Sequence, residues 1–224
     1  MEKDDNRTEQ SNHILEFSQI KDVNDRDFKE AMRIYTESFP PNERQPINII
    51  RKRVNQNLYG IFVGLLGKRA VFMALLYPLE NTDFMLFDYM ATDKNFRNKG
   101  IGSKFLKYLL GVLKKYTPDK YLILEVEDPK YGNNKEQRKR RVNFYKRLGA
   151  KEMEKVSYIL PPLSGNIPTE MILMVFPEYK EQKVDGDMVK KLITKIYKEL
   201  YNRDEDDSLL NSFIHEMNNS IEFI

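Results

Sequence analysis

The chain has 224 residues, 41% hydrophobic and 12% aromatic, which is enough apolar material for one sizeable core plus an appendage despite a 32% charged fraction. Its 37 Lys and Arg against 34 Asp and Glu leave a formal charge of +3, too mild a bias to predict a nucleic-acid partner, so any anion site must be local. The absence of cysteine, with only His13 and His215 as histidines, excludes disulfides and argues against a His/Cys metal centre; no metal is expected.

Residues 1–12 are charged and polar, lack the apolar core of a signal peptide and read as disordered. No later run is long enough to span a bilayer, so a cytoplasmic protein without a membrane partner is expected. An opening strand over 13–20 carries Ile14, Phe17 and Ile20. Asn24 is a candidate N-cap for a helix to about Ser38, with Phe28, Met32, Tyr35 and Phe39 on one face and Pro40-Pro41 ending it. A short helix after Pro46 turns Ile49, Ile50 and Val54 inward.

Three β-rich runs follow over 59–66, 70–77 and 84–92, joined by connections too short for crossover helices. They must pair as an antiparallel meander, which argues against a doubly wound parallel sheet. A helix over 102–116, a strand over 121–127, a helix over 135–148 and strands over 151–160 and 169–176 complete a main domain of residues 13–177. Beyond it, 178–224 read as a polar connector and two amphipathic helices, with Met188, Leu192, Ile196 and Leu200 on one stripe and Leu210, Phe213, Ile214, Met217 and Ile221 on the next. Packing onto the main domain, dimerisation, or a lid over an acceptor groove would each account for these stripes. The fold class is α/β of the α+β kind: a mixed, mostly antiparallel central sheet flanked by helices, with a helical C-terminal extension.

The sharpest local signal lies between a strand and a helix, in Arg97-Asn98-Lys99-Gly100-Ile101-Gly102-Ser103. Two alternate glycines allow close backbone approach, and a following helix offers unpaired N–H groups and the positive end of its dipole, which suits a pyrophosphate. Arg97 and Lys99 would add charge. A dinucleotide loop is disfavoured because Phe105 stands where a third glycine belongs, although Glu125 falls near the position of a ribose-binding acid.

These residues resemble the coenzyme A motif of the GNAT superfamily of N-acetyltransferases, Arg/Gln-x-x-Gly-x-Gly/Ala. The resemblance to these bacterial enzymes continues in Phe87-Asp88-Tyr89-Met90-Ala91-Thr92-Asp93, in Leu124-Glu125-Val126 and in Asn143-Phe144-Tyr145-Lys146-Arg147-Leu148-Gly149-Ala150. It implies acetyl-CoA as cosubstrate, a pantetheine arm along Met90, Ala91 and Thr92 where two strands diverge, a pyrophosphate held by Arg97 to Ser103, and Tyr145 near the sulfur. Asn143 joins the cofactor-binding set on the same ground. Arg138 stands where the family often has asparagine, a departure from the family pattern at that helix start.

Transfer to an amine needs a proton acceptor, because an alkyl ammonium with pKa near ~10 is mostly charged at neutral pH. Alternation places Glu125 and Glu127 on the Tyr121 and Ile123 face of their strand, and Glu125, Asp88 and Glu127 are the candidates in that order. Tyr145 is the candidate acid, with a core aromatic as the alternative role. A backbone N–H near Met90 is the candidate oxyanion donor. The basic run from Lys135 to Arg141 reads as a solvated helix face or as a phosphate or acceptor contact, and Phe39 to Arg44 resembles a segment near the acceptor in some bacterial members. The expected reaction is direct transfer to a primary amine of a small molecule or a protein terminus. The alternative is a non-catalytic coenzyme A-binding or interaction module, with a homodimer through the C-terminal helices left open.

Overall fold

The computed structural model describes residues 14–177 and 179–224; the expectations for residues 1–12, His13 and Glu178 lie outside the described residues. Strand β1 (Leu15–Ile20) leads into α1 (Arg26–Ser38) and α2 (Ile47–Asn55). The predicted meander follows as β2 (Gly60–Leu66), β3 (Arg69–Pro78) and β4 (Phe84–Thr92), with every neighbouring pair antiparallel. Next come α3 (Ile101–Tyr116), β5 (Tyr121–Glu127) and α4 (Lys135–Arg147). The single strand expected over 151–160 is instead two short ones, β6 (Lys151–Glu152) and β7 (Tyr158–Leu160), both pairing with β8 (Thr169–Phe176). Lys155 between them takes a positive φ of 59°, so the chain turns where a strand would continue.

The sheet runs β1-β2-β3-β4-β5-β8-β6, with β7 also on β8. Its faces bury separate cores. Phe28, Tyr35, Ile50 and Val54 from α1 and α2 cover one face, whereas Phe105, Leu109, Val142 and Tyr145 from α3 and α4 cover the other. Among the described residues only β4 and β5 run parallel, and their pairing stops after Leu86 opposite Ile123. Past that point the two strands separate, as expected for 84–92 and 121–127, and leave a cleft open at their C-terminal ends.

Two local expectations are corrected. Helix α1 is capped by Asp25 instead of Asn24, and its side chain makes no capping hydrogen bond; Asn24 N–H donates to Asp22 Oδ1 at 2.8 Å, so that residue belongs to a turn. The extension is also more than two helices. Strand β9 (Lys183–Asp185) precedes α5 (Gly186–Tyr201), and β10 (Ser220–Glu222) follows α6 (Ser208–Ile214) and pairs back on β9. Met217 and Ile221, read as part of a helical stripe, lie beyond α6 but remain buried with it. Leu192, Ile193, Ile196, Tyr197, Leu200, Leu210 and Phe213 join the core that α1 and α2 cover. The stripes are thus used within the chain, on the same sheet face as Tyr35 and Ile123.

Candidate active site

The cleft between β4 and β5 is shaped by one irregularity. Leu75 of β3 faces Tyr89 and Leu76 faces Phe87, so Asp88 is an unpaired extra residue in β4. Such a bulge rotates the strand, and here it puts Asp88 and Tyr89 on the Ile123 side in succession. Tyr59 donates its hydroxyl hydrogen to Asp88 Oδ2. The Tyr89 hydroxyl donates to Glu43 O at 2.9 Å and accepts from Gln45 N–H at 3.3 Å, tying the Phe39 to Arg44 segment to the bulge.

Beyond the bulge, Asp93 N–H donates to Val71 O at 2.9 Å. In an antiparallel ladder, hydrogen-bonded and free positions alternate, so Ala91 also faces β3 while the backbone groups of Met90 and Thr92 point away from it into the cleft. Arg97 Nε–H takes up one of them, donating to Thr92 O at 3.2 Å. The chain then turns through Asn98 and Gly100, with φ of 63° and 71°, and Gly100 caps α3 in the left-handed conformation. A Cβ on Gly100 would meet nothing within 4 Å, so its requirement is backbone conformation and not space. Gly102 differs: its Cβ would lie 3.4 Å from Phe144 and 3.6 Å from Met90.

This cleft has a volume of about 610 Å3. Met90, Ala91, Thr92, Arg97 and Asn98 line it, as do Gly100, Ile101, Gly102 and Ser103. Two residues of the predicted cofactor set are not on it. Lys99 turns its ammonium over the Phe96 ring, 4.9 Å from the centroid, and Asn143 lies on the exposed side of α4, one position from Phe144 and two from Tyr145, which do line the cleft. The walls suit a long cosubstrate with a phosphate group: the first turn of α3 carries the free N–H groups and Arg97 the charge, while Phe87, Leu124 and Phe144 add apolar wall.

A second cavity of about 220 Å3 adjoins it, and the two share Ser38, Phe39, Asp88, Glu125, Gln137 and Arg141. Phe39, Leu160, Leu163 and Met171 give it apolar walls, and Glu43, Glu127 and Tyr201 add polar groups. Alternation along β5 is as expected: Ile123 enters one core and Leu122, Leu124 and Val126 the other, so Glu125 points with Ile123. There it accepts two phenolic hydrogens, from Tyr158 at Oε1 and from Tyr201 at Oε2, the latter at 2.7 Å.

The electrostatics separate the acids. Burial pushes the Asp88 carboxyl up to about 7, opposed by the Tyr59 hydrogen bond and reinforced by the charge of Glu125. Burial also raises Glu125, to about 6, against the lowering effect of Tyr158 and Tyr201. Glu127 is held in ion pairs with Arg138, at 3.3 Å, and with Arg141. Part of the basic run therefore folds onto Glu127: Arg138 also donates to Asp128 O at 3.3 Å, while Lys139 and Arg140 remain solvated. Glu43 is raised by burial and then by the neighbouring Glu127. Tyr145 is buried among the α3 and α4 side chains and also lines the cleft, and burial raises it to about 12 while Arg141 lowers it. It is both a core aromatic and a cleft residue, and it keeps its proton at neutral pH.

Tyr59, Tyr158 and Tyr201 carried no sequence signal, whereas Glu43 lies in the Phe39 to Arg44 segment already singled out. Each hydroxyl reaches its carboxylate across at least 29 residues of chain, beyond any local pattern.

A splayed sheet, a bulged strand, a left-handed glycine and a helix N-terminus thus meet at one cleft. The acetyltransferase (GNAT) family profile matches residues 28–150, and the chain belongs to this family. Among solved structures, a GNAT-family protein from Bacteroides thetaiotaomicron is 25% identical, with a TM-score of 0.70 over 84% of this chain and 99% of that one. That share is larger than residues 1–177 can supply, so the likeness runs into the C-terminal extension. The ribosomal-protein-S18-alanine N-acetyltransferase of Escherichia coli is 20% identical over 72% of this chain and 92% of its own, with a TM-score of 0.50. Spermidine N-acetyltransferase from Vibrio cholerae, solved with CoA and spermine, is 12% identical over 72% of this chain and 94% of its own, with a TM-score of 0.54. The last two likenesses show the fold. No curated protein sequence matched the chain.

Proposed function

We propose that the protein is an N-acetyltransferase that moves the acetyl group of acetyl-CoA directly to a primary amine. The observation that carries this reading is the junction of the two cavities: a cleft with a phosphate-suited helix N-terminus meets a smaller chamber at two raised carboxylates, Asp88 and Glu125. Acetyl-CoA supplies an acetyl group activated as a thioester. The Met90 backbone N–H, free of β3, is the donor for negative charge developing on the acetyl oxygen.

An acceptor that arrives as an ammonium must lose two protons from nitrogen per turnover. Glu125 removes the first, and with its value near 6 it is mostly ionised at pH 7 and can pass the proton to solvent. The nitrogen lone pair forms the C–N bond as the C–S bond breaks. The sulfur takes its proton from Tyr145, whose phenol stays protonated until then, and the second nitrogen proton, passed on through the carboxylates and solvent, returns to the Tyr145 oxygen. Asp88 is the alternative first acceptor. Its value near 7 leaves it about half protonated at neutral pH, which makes it the weaker candidate.

The test begins with the unfolding midpoint in acetyl-CoA, NAD or ATP, because a ligand that binds only the folded form raises it. A selective rise with acetyl-CoA is expected, followed by thiol release with a panel of small amines and peptide N-termini. Glu125→Gln should lower turnover by about 100-fold or more while retaining the acetyl-CoA rise. Retained binding without turnover of any amine would favour a binding module, and no rise at all would overturn the reading.

A further inference from the structure

The C-terminal extension is joined to the candidate active site by a specific set of bonds. Tyr201, the last residue of α5, donates to Glu125 Oε2 at 2.7 Å and forms part of the smaller chamber, but not of the cofactor cleft. The end of α5 that carries it is gripped from the main domain. Arg53 of α2 donates to Glu199 O at 3.1 Å and Leu200 O at 2.9 Å, and Gln45 Nε2–H donates to Leu200 O at 3.2 Å. A guanidinium at helix-terminal carbonyls satisfies acceptors that have no partner within the helix and complements the negative end of its dipole.

The same Arg53 donates to the Tyr59 hydroxyl at 3.2 Å, and Tyr59 in turn donates to Asp88. One arginine thus connects the hydroxyl partner of Asp88 with the helix end that bears a hydroxyl partner of Glu125. Nearby, the Tyr197 hydroxyl donates to Ile159 O in β7, next to Tyr158, the second donor to Glu125. Glu125 is therefore held between a phenol from β7 and a phenol from α5, and both elements are fixed to one another.

From this arrangement we infer that the extension completes the acceptor side of the active site, with Tyr201 as the positioning residue that fixes the Glu125 carboxylate and closes the chamber beside it. This rests on the reading of Glu125 as the proton acceptor. Two phenolic donors leave a carboxylate with fewer orientations, and each charge-assisted bond favours its ionised form. The extension thus shares with Tyr158 in fixing where Glu125 points, and its hydrogen bond opposes the rise that burial imposes on the carboxyl. The cofactor cleft is built by β4, β5, α3 and α4, so its ligand affinity should not depend on Tyr201.

The experiment follows Glu125 directly and needs no knowledge of the acceptor. Full-length protein labelled with carboxyl-13C glutamate is titrated by NMR, with the Glu125 resonance assigned as the one absent from Glu125→Gln. Tyr201→Phe removes a single oxygen and should move the Glu125 midpoint upward by about one pH unit, the worth of one hydrogen bond to a charged group. Replacing Tyr201 with p-aminophenylalanine, which retains an N–H donor at similar reach, should restore most of that shift and also serves if the phenylalanine variant folds poorly. The acetyl-CoA dissociation constant should stay within twofold in both. Tyr197→Phe loses the neighbouring bond to Ile159 and should lower the unfolding midpoint while moving the Glu125 titration little. An unmoved midpoint in Tyr201→Phe, or an equal shift in Tyr197→Phe, would overturn the assignment. Failure of the wild type to bind acetyl-CoA would instead overturn the functional reading and leave the titration to decide the role of Tyr201.

Discussion

Asp88 should make the protein less stable as the pH rises, and replacing it with asparagine should remove most of that effect. Its carboxyl lies at about 7 in the folded chain, against an ordinary value of 3.8. A folded-state value above the unfolded one means that the folded chain binds the proton more tightly. Stability is then full below about pH 4 and falls as the pH rises through about 7. The two values correspond to a ceiling of about 4 kcal/mol, of which about 2 to 3 kcal/mol is lost between pH 5 and pH 8. Glu125, raised from 4.5 to about 6, adds a loss of about 1 kcal/mol over the same interval. Asp88→Asn keeps an oxygen to accept the Tyr59 hydrogen but has no charge to bury. Urea unfolding at both pH values should therefore show a loss of up to about 4 kcal/mol in the wild type and about 1 kcal/mol in the variant. At pH 8 the variant should be the more stable protein, a gain in stability at a position placed for chemistry. Equal pH dependence in the two proteins would refute the argument, because it would mean that Asp88 ionises in the folded state as readily as in the unfolded one.

Tyr145→Phe should lower kcat by about 100-fold while leaving the acetyl-CoA dissociation constant within about twofold, because only the proton for the departing sulfur is lost; stopped-flow thiol detection separates the two. Gly100→Ala meets no atom within 4 Å but must hold a φ of 71°, so it should cost about 1 kcal/mol in urea unfolding and weaken acetyl-CoA binding if the turn relaxes. Gly186→Ala is a steric test of the extension. Its Cβ would lie 1.9 Å from Asn218 O, so the β9 and β10 pairing must shift at a cost of about 1 to 3 kcal/mol. An unchanged urea midpoint in that variant would count against close docking of the C-terminal strand.

The parts of the fold that were legible in the sequence are those set by local periodicity. Connections of a few residues force β2, β3 and β4 into a meander, and alternation along β5 separates Glu125 from Leu124 without any knowledge of the partners. Where the pattern was carried too far, a local conformation intervened. Lys155 turns the chain between β6 and β7, and the helical spacing of Met217 and Ile221 persists past the end of α6 because burial follows the docked surface as well as the helix. The bulge at Asp88 was not visible either. Its sequence signature is only a polar residue in an apolar strand, which equally describes an edge or a solvent-facing position.

The cofactor side was easier to read than the acceptor side for a physical reason. A phosphate is held by backbone geometry, and the turn at Gly100 and the start of α3 are contiguous in sequence, so a short motif can encode them. An amine is handled by side chains whose protonation depends on burial and on hydroxyl partners, and those partners come from wherever the fold brings them. Glu125 is recognisable as a candidate from its strand, yet its ionisation depends on burial, which raises it, and on hydrogen bonds from Tyr158 and from Tyr201, 76 residues away, which oppose that rise. Such a site can change its acceptor by altering the extension while the phosphate motif stays fixed, since Tyr201 borders the smaller chamber and not the cofactor cleft. On that argument, acceptor preference should follow substitutions around the end of α5 and in the Phe39 to Arg44 segment more closely than substitutions in α3.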